Sequence, residues 1–513
     1  MSIGERLRAS PASKYRHTSR EIQPSSGLMY SRRNAASTDF MGWRTKSLRG
    51  LLYSRYTQRG NTLQSSETFI VPGHFPFSPL RAALTSLLLL AACASQGFSQ
   101  ARNPTRVFGG YFEEWGIGYA HYNIADLQKN GVADELTHLI YAFGNVTATA
   151  TPACAIADPS AAYRDATLPS VSGKAYTAPL YGNFGAIQQL KELHPNLKVL
   201  ISLGGQAGDV SGFARAAGTA TGRSALAASC IGLFVKGNIA PGVQAPGLFD
   251  GFNIDWEFPT AEDKQNFTAL LKEFRAQLNA LTKITGKKYT LTFDSPADPK
   301  KYANIELKAA AAQVDFLTID GYDYAGTWDK QTNESSSLYD VASDPVYTGA
   351  RYIDATVRAY RKAGVPAAKY TMGLPLYAVG WKGVPGTNHG LYQNSTGDSP
   401  VLLADGSGLC PNPSKIAPSP GCDTLLTPGF LTYATIENLT NKHGYTTWYD
   451  SARVGATLYN PTAGIFYSYD TPASAAAKTA YIRKNKLGGA YVWALNDDDA
   501  NGSLTKIIAE GLK

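Results

Sequence analysis

From Arg106 onward, short apolar runs of strand length recur along the chain: Arg106–Tyr111, Leu136–Phe143, Lys198–Leu203, Phe249–Glu257, Tyr289–Phe293, Phe316–Tyr322, Tyr370–Leu374 and Gly489–Trp493. Most are filled with Val, Leu, Ile and aromatic residues, the composition of strands covered on both faces. Between them lie segments such as Ala261–Leu281, whose apolar residues recur at helical spacing. Eight buried strands alternating with helices predict an α/β fold, a (β/α)8 TIM barrel. The spacing breaks once, because Tyr370 to Gly489 spans 119 residues, more than one strand–helix unit can fill. An α+β insertion over 378–465, rich in Gly, Pro, Tyr and Thr, is therefore expected between strands seven and eight. The barrel is expected over 102–377 and 466–513.

Composition changes this picture at the N-terminus. The net charge of +8 invites a nucleic-acid partner, but residues 1–105 hold 14 Lys/Arg against 4 Asp/Glu and the rest is near neutral. The basic surplus sits in a Ser- and Arg-rich extension over 1–79 without periodicity, so no nucleic-acid partner is expected. That extension reads as disordered, or as sequence upstream of the true start, with Met41 a candidate start. The apolar run Ala83–Ala94 is too short to span a bilayer and suits a signal peptide over 80–101, with no integral membrane span. Leu90-Ala91-Ala92-Cys93 also fits a bacterial lipoprotein box, which would anchor the chain through Cys93. Export into an oxidising compartment leaves Cys154, Cys230, Cys410 and Cys422. Cys410 and Cys422 flank a short Pro/Ser-rich loop and are the favoured disulfide, and Cys154 with Cys230 is a second, weaker candidate pairing. No Cys/His spacing points to a metal, and no cofactor is expected.

The densest chemistry lies in Phe249-Asp250-Gly251-Phe252-Asn253-Ile254-Asp255-Trp256-Glu257-Phe258-Pro259. Strand alternation puts Asn253, Asp255 and Glu257 on one face. Two carboxylates two residues apart lie within about 7 Å and titrate as a coupled pair. Burying both costs several kcal/mol unless they are used. Trp, Phe and Pro packed around them argue against a solvated strand end, and the segment reads as a catalytic strand.

This stretch resembles the Asp-Gly-x-Asp-x-Asp-x-Glu signature of family 18 glycoside hydrolases, the chitinases and their relatives. Asp250, Gly251, Asp255 and Glu257 match, and Asn253 stands where the family usually has Asp. Ser202-Leu203-Gly204-Gly205 matches the third-strand signature, and Asp320-Gly321-Tyr322-Asp323 resembles the sixth-strand Met-x-Tyr-Asp with Asp320 replacing Met. One subgroup of these enzymes carries a small α+β insertion at the position inferred above. The resemblance implies a secreted, monomeric chitinase that cleaves β-1,4-linked N-acetylglucosamine polymers with retention. In such enzymes the substrate's own acetamido oxygen attacks the anomeric carbon, in place of a carboxylate nucleophile. Glu257 would be the general acid/base, Asp255 would orient the acetamido N–H and stabilise the oxazolinium, and Tyr322 would hold the acetamido carbonyl oxygen. Asp250, Asn253, Tyr111, Trp115, Phe143, Asp323, Tyr377 and Trp493 are the implied substrate contacts, Trp493 forming a floor under the cleaved sugar. In three-acid relatives the middle Asp can share a proton with the one before it, so Asn253 is expected to ease ionisation of Asp255 and to donate a hydrogen bond to it.

An endo-β-N-acetylglucosaminidase acting on N-glycans shares the acidic motif, and a chitin-binding lectin on an inactive barrel is the non-enzymatic alternative. Two further signals are set aside. Asp497-Asp498-Asp499 opens like a calcium loop, but Ile508 occupies the twelfth position, so the run reads as a solvated turn. His138, inside an apolar strand, reads as a core histidine.

Overall fold

The computed structural model describes residues 106–205, 210–345, 350–396, 399–402 and 428–513. The extension over 1–79, the signal segment over 80–101, Cys93, Cys410 and Cys422 lie outside the described residues.

Eight strands form the barrel: β1 (Val107–Glu113), β2 (His138–Val146), β3 (Lys198–Gly204), β4 (Gly251–Asp255), β5 (Thr290–Ser295), β6 (Leu317–Ile319), β7 (Tyr370–Pro375) and β8 (Gly489–Trp493). Each expected run became a strand. Neighbours pair in parallel, and β1 bonds both β2 and β8, which closes the sheet. Strands buried on both faces explain the apolar runs: every residue of β4 and of β7 is buried. The helix Lys264–Thr285 shows how the outer layer is held. Phe267, Leu270, Leu271, Phe274 and Leu278 form one buried stripe at helical spacing, and Gly286, at φ 72°, terminates the helix in the left-handed region.

Between β7 and β8, five antiparallel strands form a second sheet, in the order Phe430–Thr432, Tyr377–Lys382, Ile465–Tyr469, Gly455–Asn460 and Thr446–Asp450. The short helix Tyr433–Leu439 is capped by Thr432, whose side chain accepts from the Thr435 N–H. The expected return to the barrel at 466 falls inside Ile465–Tyr469, which pairs within this sheet. A buried ion cluster ties the insertion to the loop after β6. Arg453 Nε lies 2.5 Å from Glu334 Oε2 and its Nη1 3.2 Å from Asp344 Oδ2, while Nη2 donates to Asn333 Oδ1 at 2.8 Å.

Of the two expected disulfides the weaker one is formed, and Cys410–Cys422 lies outside the described residues. Cys154 bonds Cys230, linking the short strand Cys154–Ile156 beside β2 to the end of helix Ala220–Cys230. Their separation of 76 residues hid a pairing that the closed barrel makes local, with Cα atoms 4.9 Å apart. His138 behaves as expected, its ring bonded to Thr137 Oγ1 at 2.8 Å and packed edge-on against Phe316. Burial lowers its pKa to about 4.

Candidate active site

The carboxyl ends of the strands open on a cleft of about 1000 Å³. The alternation along β4 sorts its side chains: Phe252 and Ile254 enter the outer apolar core, while Asn253 and Asp255 are buried at 0% and 3% exposure. Glu257, two residues past the strand, is half-buried and faces the cleft. β3 must come close for this to work. A Cβ on Gly204 (φ 118°) would sit 2.1 Å from the Asp255 carbonyl oxygen, and one on Gly205 (φ 87°) 2.6 Å from the Phe143 ring. The Gly205 N–H instead donates to that carbonyl at 2.9 Å.

Burial pushes the Glu257 carboxyl up to about 8; the Asp320 charge adds to this and Lys301 opposes it. Asp255 is likewise raised, first by burial and then by Asp294, Glu257 and Asp320. Asn253 does not donate to it. Its Oδ1 accepts from Tyr111 OH at 3.1 Å and Ser202 Oγ at 2.7 Å, whereas Asn253 Nδ2 and Asp255 Oδ1 have no hydrogen-bond partner among the described residues.

Two carboxylates absent from the sequence reading as site residues stand beside these. Asp294, on β5, accepts from Thr318 Oγ1 at 2.8 Å, and Asp320, just past β6, accepts from Tyr491 OH at 2.8 Å. The Tyr491 hydroxyl also lies 3.3 Å from that of Tyr322. Burial, with the Glu257 charge second, raises Asp294 to about 7. The available signal was position, since an acid at the carboxyl end of a barrel strand faces the site. Asp323, at φ 58°, accepts from Tyr377 OH at 2.7 Å.

Aromatic rings wall the cleft. Trp493 packs on Tyr111 at 5.1 Å and stacks on Phe143 at 5.8 Å, and Phe143 stacks on the half-exposed Trp115 at 5.7 Å. Trp328, also exposed, was not anticipated. A further acid pair lines one corner, where the Tyr119 hydroxyl donates to Asp497 Oδ1 at 2.9 Å and contacts Glu113. Asp497 and Asp498 are buried, which overturns the solvated-turn reading. Asp498 instead accepts from the Thr505 N–H at 2.8 Å, holding the first turn of helix Ser503–Leu512.

Tyr111, Trp115, Phe143, Asp255, Glu257, Tyr322, Asp323, Tyr377 and Trp493 all line this cleft. Asn253 sits beneath it. Asp250 is displaced altogether: it precedes β4, where its Oδ2 pairs with Lys191 Nζ at 2.7 Å and accepts from the Val199 N–H at 2.9 Å. Five residue steps separate it from Asp255, about 16 Å of rise, so it anchors the amino end of the strand, away from the cleft lining. Among the described residues no group of His, Cys, Asp and Glu could hold a metal ion.

The family model for glycosyl hydrolases family 18 matches residues 107–498. The chain belongs to this family. It is 32% identical over 473 residues to Chitinase A1 of Niallia circulans, covering 83% of this chain and 61% of that protein. To Chitinase 1 of Aphanocladium album it is 29% identical, covering 84% of this chain and 92% of the relative. The catalytic domain of psychrophilic chitinase B from Arthrobacter TAD20 superimposes with a TM-score of 0.68 at 30% identity, covering 80% of this chain and 96% of that one. The chain thus spans less than two thirds of some family 18 relatives, 52% in the case of Chitinase A of Pseudoalteromonas piscicida.

Proposed function

We propose that the chain is a secreted chitinase that hydrolyses β-1,4-linked N-acetylglucosamine polymers with retention, through an oxazolinium formed by the substrate's acetamido group. One observation carries this reading: Glu257, held protonated to about pH 8, faces an aromatic-walled cleft with Asp255 buried beside it. A carboxylic acid neutral at working pH is what protonation of a leaving glycosidic oxygen requires. Once the leaving sugar departs, the same carboxylate takes a proton from the incoming water. Asp255, brought to the anionic state as positive charge develops, stabilises the oxazolinium. Tyr322, whose hydroxyl meets that of Tyr491, is placed to hold the acetamido oxygen. The stacked rings of Trp493, Phe143 and Trp115 offer a run of platforms for a linear chain of sugars, which favours a polymer over a branched glycan.

Export is part of the proposal. The Cys154–Cys230 disulfide supports an oxidising compartment, and no helix among the described residues is long and apolar enough to cross a membrane. The test is hydrolysis of chitin hexamer by the full chain beside Glu257→Gln, with product anomers resolved. Prompt release of β-anomers, lost in the variant, is the expected result. Binding without turnover in both proteins would make the chain a lectin, and cleavage confined to a high-mannose glycopeptide would make it an endo-glycosidase.

A further inference from the structure

Position 253 is where three-acid relatives carry a second carboxylate on the catalytic strand, and here it is an amide held by Tyr111 and Ser202. Asp255 nonetheless has carboxylate neighbours, supplied from the next two strands. β4 and β5 pair in register at Ile254 and Phe293, so Asp255 and Asp294 follow side by side on adjacent parallel strands, about 4.8 Å apart along the hydrogen-bonding direction. β5 and β6 pair at Asp294 and Thr318, which sets Asp320 just beyond. Tyr491, reaching across from β8, donates its hydroxyl to Asp320 Oδ1 at 2.8 Å and lies 3.5 Å from Asp294 Oδ1. A hydroxyl carries one proton, so it cannot serve two ionised carboxylates at once, and the arrangement accommodates one further proton between them.

We propose that Asp294 and Asp320, joined through the Tyr491 hydroxyl, are the proton partner of Asp255, replacing from strands β5 and β6 the acid that is missing at position 253. The proposal rests on the glycosidase reading above. The three residues act as positioning groups, since the reacting atoms meet Asp255 and Glu257. The proton transfer is balanced: the O–H of Asp255 breaks as one forms on Asp294, and the net charge of the site is unchanged. It leaves Asp255 anionic when the oxazolinium needs a counter-charge. Tyr491 couples this pair to Tyr322, the residue placed on the acetamido oxygen. The other titratable groups facing the trio are Tyr111 from β1, Glu257 beyond β4, Tyr322, Asp323 and Tyr324 after β6, Tyr360 from helix Ile353–Lys362, and Tyr377; Lys301 is the cation bearing on Glu257.

The test is a pH titration of the full chain labelled with carboxyl-¹³C aspartate, using Asp255→Asn for assignment, alongside pH–rate profiles on chitin hexamer. In Asp294→Asn the Asp255 resonance should titrate lower by about one pH unit, the size expected for a coupled pair. Asp320→Asn should move it the same way by less. Tyr491→Phe keeps both carboxyls, removes the donor to Asp320, and should move the Asp320 titration upward. The acid limb of the kcat profile should fall with the Asp255 titration while KM changes little, a signature that mere loosening of the fold would not produce. An Asp255 titration unmoved in both Asp294→Asn and Asp320→Asn overturns the proposal. If the wild-type chain does not cleave the hexamer but the resonance still shifts, the glycosidase reading falls and the proton partnership stands.

Discussion

Two sets of buried carboxylates in this molecule are held in opposite ways. In one set each acid has a cation: Glu334 and Asp344 share Arg453, and Asp470 holds Lys478 at 2.6 Å. At the cleft, Asp255, Glu257, Asp294 and Asp320 have hydroxyl groups and one another, and among the described residues Lys301 is the cation that opposes the shift of Glu257. Acids paired with a cation hold elements together, as Arg453 holds the insertion to the loop after β6. Acids buried without cations keep their protons to higher pH. Between these two sets the partner differs and burial does not; Asp498, buried without a cation, holds structure through Thr505 instead.

The comparison is broken most sharply by Glu257→Gln. Removing the acid while keeping its shape should lower kcat on chitin oligomers by about 10²- to 10⁴-fold, with the melting temperature at pH 5 unchanged; a variant that keeps its kcat would place the proton donor elsewhere. Next comes Arg453→Ala. It strands two buried carboxylates, and breaking such a cluster costs about 3–5 kcal/mol. Urea unfolding should register that loss, while the folded fraction keeps a normal kcat. A kcat loss in step with Glu257→Gln would abolish the distinction between the two regions.

The parts of this division that were legible in the sequence are those encoded locally. Strands buried on both faces must be apolar throughout, so all eight barrel strands could be read from composition, and the density of groups around Asp255 and Glu257 marked the catalytic strand. Asp294 was missed because one acid in Thr-Leu-Thr-Phe-Asp-Ser looks like a strand end, and only the pairing with β4 brings it to Asp255. Asp497 and Asp498 were misread for a similar reason: an acidic run looks solvated until Tyr119 and Thr505 are folded against it. Asp250 fits the motif but lies at the wrong end of its strand. The Cys154–Cys230 pairing is a product of barrel closure, which spacing does not encode.

The cleft acids should also govern how stability responds to pH. Glu257 is raised to about 8, Asp294 and Glu113 to about 7, and burial raises Asp255 and Asp320 as well. A carboxyl whose folded pKa exceeds its unfolded value of about 4 contributes stability that is fully present below that value and is lost as pH rises through the folded pKa. The melting temperature should therefore fall between pH 5 and pH 9, with less of a fall in Glu257→Gln and in Asp294→Asn. An equal fall in those variants would mean that the cleft acids are not its source. On the same grounds kcat should decline as pH rises through about 8, where Glu257 loses its proton.

The smallest and most discriminating change is Asn253→Asp. The two hydroxyls that donate to the amide oxygen, from Tyr111 and Ser202, suit a carboxylate equally well, so packing and substrate contacts should survive. What changes is charge, because another acid is added beside a group already crowded by Asp294, Glu257 and Asp320. A like charge disfavours ionisation, so Asp255 should titrate higher and the acid limb of the kcat profile should move to higher pH, with KM nearly unchanged. That direction is opposite to the one expected for Asp294→Asn, and the double variant should bring the limb back toward its original position. A profile unchanged by Asn253→Asp would mean that position 253 is electrostatically silent in this barrel and that the acids of β5 and β6 alone set the ionisation of Asp255.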